Sequence, residues 1–166
     1  MSKIIKVFRD SVPAMRFICK KYGDYSGWGE WFENGLFDKV EAAMGGVDSI
    51  TNVWKNGGGY VGLEMRRGNE LVYAVGMFTP AGTSVPEGLD FIDFPASEFG
   101  TCWIYGKEED VHGCIGGCKS ALAEHGFEIA CDGDGYEISF ENGLCPRFTT
   151  PDENGCVILD YCYFVK

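Results

Sequence analysis

Positive charge is in short supply: 14 Lys and Arg stand against 25 Asp and Glu in 166 residues, a net of −11. Nucleic-acid binding needs clustered Lys and Arg to neutralise phosphates, so this balance argues against a nucleic-acid partner and equally against docking on an anionic membrane. Long apolar runs are missing too. No segment approaches the ~20 residues of a membrane helix, and Met1–Asp10 has neither an apolar h-region nor a cleavage site. A cytoplasmic protein with reduced thiols is the expectation. The eight cysteines include no Cys-x-x-Cys pair. Cys114 and Cys118 lie close together with His112 just upstream, but the spacing matches no structural zinc pattern and a second ligand pair is lacking. The cysteines therefore read as small buried apolar residues, and neither metal nor cofactor is expected. Nucleophile machinery is absent as well: there is no Gly-x-Ser-x-Gly, and both histidines, His112 and His125, fall on one expected helix. Gly57-Gly58-Gly59 is not followed by Lys-Ser/Thr and reads as a flexible turn, not a phosphate loop.

What is present is a globular composition, 45% hydrophobic and 14% aromatic. The length suits one domain, or two small modules sharing a core. An internal repeat supports the second form. Residues 13–23 read Pro-Ala-Met-Arg-Phe-Ile-Cys-Lys-Lys-Tyr-Gly and residues 95–106 read Pro-Ala-Ser-Glu-Phe-Gly-Thr-Cys-Trp-Ile-Tyr-Gly, an offset of 82. After each copy comes a helical pattern: Trp28, Trp31/Phe32, Leu36, Val40 and Ala43/Met44 before Gly45-Gly46, then Val111, Ile115, Cys118 and Leu122 before Gly126. Two strands follow each helix. Residues 60–66 and 70–78 flank the tight turn Arg67-Gly68-Asn69; residues 135–141 and 156–165 flank a longer connection. The expected fold is α+β: a β-α-β-β unit occurring twice about a pseudo-two-fold axis, with antiparallel sheets and one helix per repeat on one face. Repeat one spans 1–79, repeat two 88–166, and 79–94 joins them within a single domain. Helix-spaced Trp28, Trp31 and Trp54 read chiefly as core. Ligands favour the seam between such repeats.

The strand Gly135-Tyr136-Glu137-Ile138-Ser139-Phe140-Glu141 alternates with period two. This predicts Tyr136, Ile138 and Phe140 against the helices and Glu137, Ser139 and Glu141 on the opposite face. Glu141 is either a solvated strand end, with Tyr73, Tyr161 and Tyr163 as ordinary core, or a carboxylate facing an aromatic recess suited to cations. Gly76 is expected to leave space beside Tyr73, Val75 and Met77.

The element order, the Pro-Ala-x-x-Phe opening of the second half and the Gly-Tyr-Glu…Phe-Glu strand resemble the gyrase-inhibitor-like family, the effector-binding fold also attached to AraC- and MerR-type activators. The stretches Trp28–Phe37, Pro80–Gly88 and Cys145–Asp152 are similar to a standalone branch. The resemblance implies that Glu141 meets cationic, lipophilic ligands, with Tyr73, Trp103, Tyr105 and Tyr161 as stacking residues. Two departures stand out: the chain ends Tyr163-Phe164-Val165-Lys166 where the family often has Ile-Pro-Val, and Asn142-Gly143 follows the Phe-Glu where a tyrosine is common. The family's regulators carry a helix-turn-helix module; no basic helix occurs here, so transcriptional activation by this chain alone is not expected. Three functions follow in order. The first is a binding protein for a hydrophobic or cationic small molecule, acting alone or as a homodimer. The second is a hydrolase opening cyclopropane-containing electrophiles, with Glu141 as general acid or base and Tyr105 or Tyr73 as hydrogen-bond donor. The third is a gyrase-inhibitor-like protein interaction.

Overall fold

Period-two and period-3.6 patterns become eight strands and a set of short helices in the computed structural model, which describes residues 1–166. The strands are β1 (Lys3–Val12), β2 (Met15–Tyr22), β3 (Tyr60–Arg67), β4 (Glu70–Pro80), β5 (Asp90–Phe94), β6 (Ser97–Gly106), β7 (Glu137–Gly143) and β8 (Val157–Val165). The helices are α1 (Trp28–Glu33), α2 (Leu36–Ala43), α3 (Asp48–Thr51), α4 (Glu108–Val111) and α5 (Ile115–Glu124), with a 3-10 turn at His112–Cys114. The first expected helix breaks at Gly35, whose φ of 62° is a left-handed conformation that costs glycine little. No helix is long and apolar enough to cross a membrane.

All eight strands form one antiparallel sheet in the order β1-β6-β8-β7-β3-β4-β2-β5. The α+β antiparallel class is as expected. The order has a symmetry: exchanging β1 with β5, β2 with β6, β3 with β7 and β4 with β8 gives its reverse. Other expectations need correction. There is one continuous sheet where two small ones were expected, and each half contributes four strands, not three. The extra strands, β1 and β5, form the two edges, and each pairs across to the other half: β1 with β6, β5 with β2. Part of the supposed joining segment is therefore β5. Gly76 leaves no space, because a Cβ there would lie 2.1 Å from the Ile18 carbonyl oxygen on β2.

The sheet is strongly curled. β4 and β6 stand four positions apart, about 19 Å in a flat sheet, yet the rings of Phe78 and Phe99 approach to 6.2 Å. Phe17, Phe78, Phe99, Phe140 and Phe164 pack from both halves on this inner face, with Trp54 set edge-on against Phe78, Phe99 and Phe140. A second, smaller cluster joins Val111, Cys118 and Leu122 to Leu159, Tyr161 and Tyr163. Helices α4 and α5 thus lie on the outer face, where Trp28 of α1 also meets Gly62 and Tyr73.

This reverses the expected facing of β7. Its alternation is as read, but Ile138 and Phe140 point into the phenylalanine core, while Glu137 accepts from Lys119 of α5 and Glu141 bonds His112. The polar set lies on the α4–α5 side because the curl of the sheet brings phenylalanines of distant strands, together with Trp54, onto its apolar set.

Candidate functional site

Glu141 sits on β7 at the middle of the sheet, with Gly62 of β3 as its register partner on one side and Tyr161 of β8 on the other. Two helix groups, α1–α2 and α4–α5, flank this point on the outer face and leave a cleft between them. The wider lobe, about 450 Å³, is walled by Trp28, Phe32, Tyr60, Phe148 and Leu159. The narrower, about 340 Å³, is walled by Tyr25, Glu64, Tyr73, Ile115 and Tyr161. Both lobes are bordered by His112 and Glu141. Residues of the two halves therefore converge here.

The Glu141 side chain is 18% exposed. Its Oε1 accepts from the Tyr73 hydroxyl at 3.3 Å, and that hydroxyl accepts from Trp28 Nε1 at 2.8 Å. On the other oxygen, His112 Nε2 stands 2.7 Å from Oε2. The bond to Glu141 raises the His112 pKa above the ordinary imidazole value, with burial opposing it. Burial first, and then the Glu141 charge, push the Tyr73 phenol up; burial does the same for Tyr161. Both phenols therefore stay neutral donors at neutral pH. Close approach of these groups depends on Gly62. A Cβ there would fall 2.2 Å from the Tyr73 hydroxyl, 2.8 Å from Glu141 Oε1 and 3.1 Å from the Trp28 ring.

Of the residues expected at the site, Glu141, Tyr73 and Tyr161 are brought together. Tyr161 lines the narrow lobe while its hydroxyl meets Ser139 Oγ at 3.0 Å. Trp103 and Tyr105 are not there. On β6, Cys102 pairs with Tyr161, so its neighbour Trp103, paired with Asp160, faces the opposite side of the sheet, and Tyr105 follows it. Trp103 packs on Phe8, Lys6 and Arg147; Tyr105 donates to Asp152 at 2.8 Å, which removes it as a donor at Glu141. Sequence reasoning did not select His112, Gly62, Phe32, Tyr60 or Phe148. A glycine inside an otherwise apolar strand was the one available signal, for Gly62. His112, Cys114 and Cys118 do not converge on a metal site: His112 turns to Glu141, Cys114 Sγ meets Ser2 Oγ at 3.0 Å, and Cys118 is buried.

No family model and no curated protein matches the sequence. Solved structures share the fold. A Staphylococcus aureus MU50 protein assigned to bacterial transcription regulation aligns with a TM-score of 0.62 at 11% identity, covering 98% of this chain and 99% of its own. SAV2435, solved bound to tetraphenylphosphonium, aligns at 0.56 and 10% identity over 98% of this chain and 94% of its own. A hydrolase encoded by lin2189 from Listeria innocua aligns at 0.54 and 11% identity over 97% and 92%. At these identities the likeness establishes the architecture.

Proposed function

We propose that the chain is a small-molecule-binding protein of gyrase-inhibitor-like type, taking a hydrophobic, cationic ligand into the cleft with Glu141 as its counter-charge. One observation carries this reading: a carboxylate mostly shielded from water, held by Tyr73 and set among aromatic walls on the floor of a two-lobed cleft. An aromatic face and a desolvated carboxylate both favour a cation. The shared fold with a protein solved on tetraphenylphosphonium makes that cation the natural probe. The eight free thiols support a reducing, cytoplasmic setting.

Titration with tetraphenylphosphonium, followed through tryptophan fluorescence because Trp28 lines the cleft, tests it. Glu141→Gln keeps the shape and removes the charge, and affinity should fall about tenfold or more. Equal affinity in the two proteins removes Glu141 from the reading.

A hydrolase is the second reading, favoured by the placement of Tyr73 and His112 on opposite oxygens of Glu141. In that arrangement Glu141 would take a proton from a water whose oxygen bonds one carbon of the strained ring as a ring C–C bond breaks, and would return that proton to the carbon released, with His112 and Tyr73 holding the carboxylate. Turnover of a cyclopropane-containing electrophile that is lost in Glu141→Gln supports it; undiminished turnover removes it.

A further inference from the structure

Glu141 already has a partner of opposite charge type within the protein. His112 reaches it from the 3-10 turn between α4 and α5, at 2.7 Å, while its own side chain remains 51% exposed. The imidazole borders both lobes, so its bond to Glu141 stands between them. Its backbone is weakly built. A 3-10 stretch interrupting a helix is a common hinge, and Gly113, Gly116 and Gly117 follow directly, residues that lower helix propensity. Added Cβ atoms at Gly113 and Gly116 would meet nothing within 4 Å, so packing does not require glycine at those two positions.

We propose that His112 is the resident counter-cation of Glu141 and a specificity-determining residue of the cleft: an incoming cation displaces it, joins the two lobes and releases its proton. The proposal rests on the cation-binding reading of the cleft. It predicts proton-coupled uptake in which cations compete against an internal one. Neutral ligands, which gain nothing from a freed carboxylate, are excluded.

The sign follows from the surroundings. Facing His112 across the cleft are Glu141 from β7, Glu108 from α4, Tyr73 from β4, Tyr161 from β8, Tyr60 and Glu64 from β3, and Tyr25 from the loop before α1. The four tyrosines are all shifted upward, Tyr73 and Tyr161 by burial first, Tyr60 by burial and Tyr25 by its bond to Glu64, so they remain neutral. The nearby cations are engaged elsewhere: Arg66 with Glu64 and Tyr25, Lys119 with Glu137, and the Met1 amino group with Asp110. His112 is therefore the group facing this cleft that changes charge near neutrality. Below its raised pKa it is a cation that neutralises Glu141. Above it the carboxylate is free, and affinity for an external cation rises with pH.

Calorimetric titration of the full chain with tetraphenylphosphonium, between about pH 5.5 and about pH 8.5 and in two buffers of different ionisation heat, tests this. The wild type should bind more tightly by up to about tenfold per pH unit until His112 is neutral, then level off, releasing a proton at the acid end. His112→Gln should bind at or above that plateau with no slope. His112→Lys should stay at the weak limit throughout, since its charge persists. An NMR titration of the His112 ring should show its pKa falling in Glu141→Gln. Wild-type affinity without a slope, or a slope surviving in His112→Gln, overturns the gate alone. Wild type that fails to bind the probe at every pH overturns the cleft reading, and the gate with it.

Discussion

Arg147→Ala should cost about 3–5 kcal/mol of stability, the range for stranding one member of a buried ion pair, and lower the melting temperature by about 10 °C. Asp160 is 1% exposed, and both its oxygens accept from the Arg147 guanidinium, at 2.7 and 2.6 Å. Arg147 also donates to Asn56 Oδ1 at 3.2 Å and lies over the Trp103 ring at 4.9 Å. Even so paired, the Asp160 carboxyl titrates above the ordinary range, because burial outweighs Arg147. A carboxyl whose folded pKa is raised favours the fold when protonated, and that contribution is lost as pH rises through the folded pKa. Removing Arg147 raises the pKa further. The penalty should therefore be larger at pH ~7.5 than at pH ~4.5, and Asp160→Asn in the Arg147→Ala background should recover most of it. Chemical denaturation at both pH values measures the difference. A loss below about 1 kcal/mol that is equal at the two values would show the pair to be idle.

The same ion pair bears on function through the chain. Arg147 precedes Phe148, a wall of the wide lobe, and its carbonyl accepts from Ile158 of β8 at 2.8 Å. The loop 144–156 has no strand or helix of its own, and the Arg147–Asp160 pair is the charged tie among several bonds that hold it to the sheet, with the Ile158 bond beside it and Tyr105 on Asp152 farther along. Arg147→Ala should accordingly weaken tetraphenylphosphonium binding even at temperatures where the variant is folded.

Which parts of this were legible in the sequence follows from which interactions are local. The hairpin β3–β4 and the alternation of β7 are written in neighbouring residues, and both were read. β1 and β5 were not. They are edge strands with exposed, mixed composition, Lys3, Lys6 and Arg9 on one and Asp90 and Asp93 on the other, and each finds its partner in the opposite half. Trp103 and Tyr105 failed at the site for a matter of parity: one step of register separates the face holding Tyr161 from the face holding Asp160, and local sequence does not encode which residue of β6 meets which of β8. Local sequence points the apolar side of β7 at the helices, whereas the curl of the sheet lets five phenylalanines from distant strands bury one another on that side. The alternation of β7 leaves Glu141 open between a solvated strand end and a carboxylate in an aromatic recess, and the resemblance points to the second; nothing adjacent in sequence links His112 to a strand nearly thirty residues on.

Gly62→Ala should lower tetraphenylphosphonium affinity about hundredfold, the equivalent of about 2.7 kcal/mol, and stability by about 1–3 kcal/mol through overpacking. The backbone at this position is ordinary extended strand, so the methyl group itself, not a strained φ, carries the effect. It would meet the Tyr73 hydroxyl at 2.2 Å and Glu141 Oε1 at 2.8 Å. Tyr73 cannot retreat readily: its ring is buried, Tyr25 stands edge-on at 5.0 Å, and Trp28 donates to its oxygen. Glu141 yields instead. Its carboxylate swings off Tyr73, and the cleft loses both the position of its charge and part of the narrow lobe. Tyr73→Phe removes the atom nearest the clash and should restore about tenfold of the lost affinity in the double variant, although alone it only weakens binding by deleting a bond to Glu141. That opposite sign in the two backgrounds is the signature of direct contact. Additive losses would mean that Gly62 acts by destabilising β3, and the close packing of glycine, tyrosine and glutamate would then not be what aims the carboxylate into the cleft.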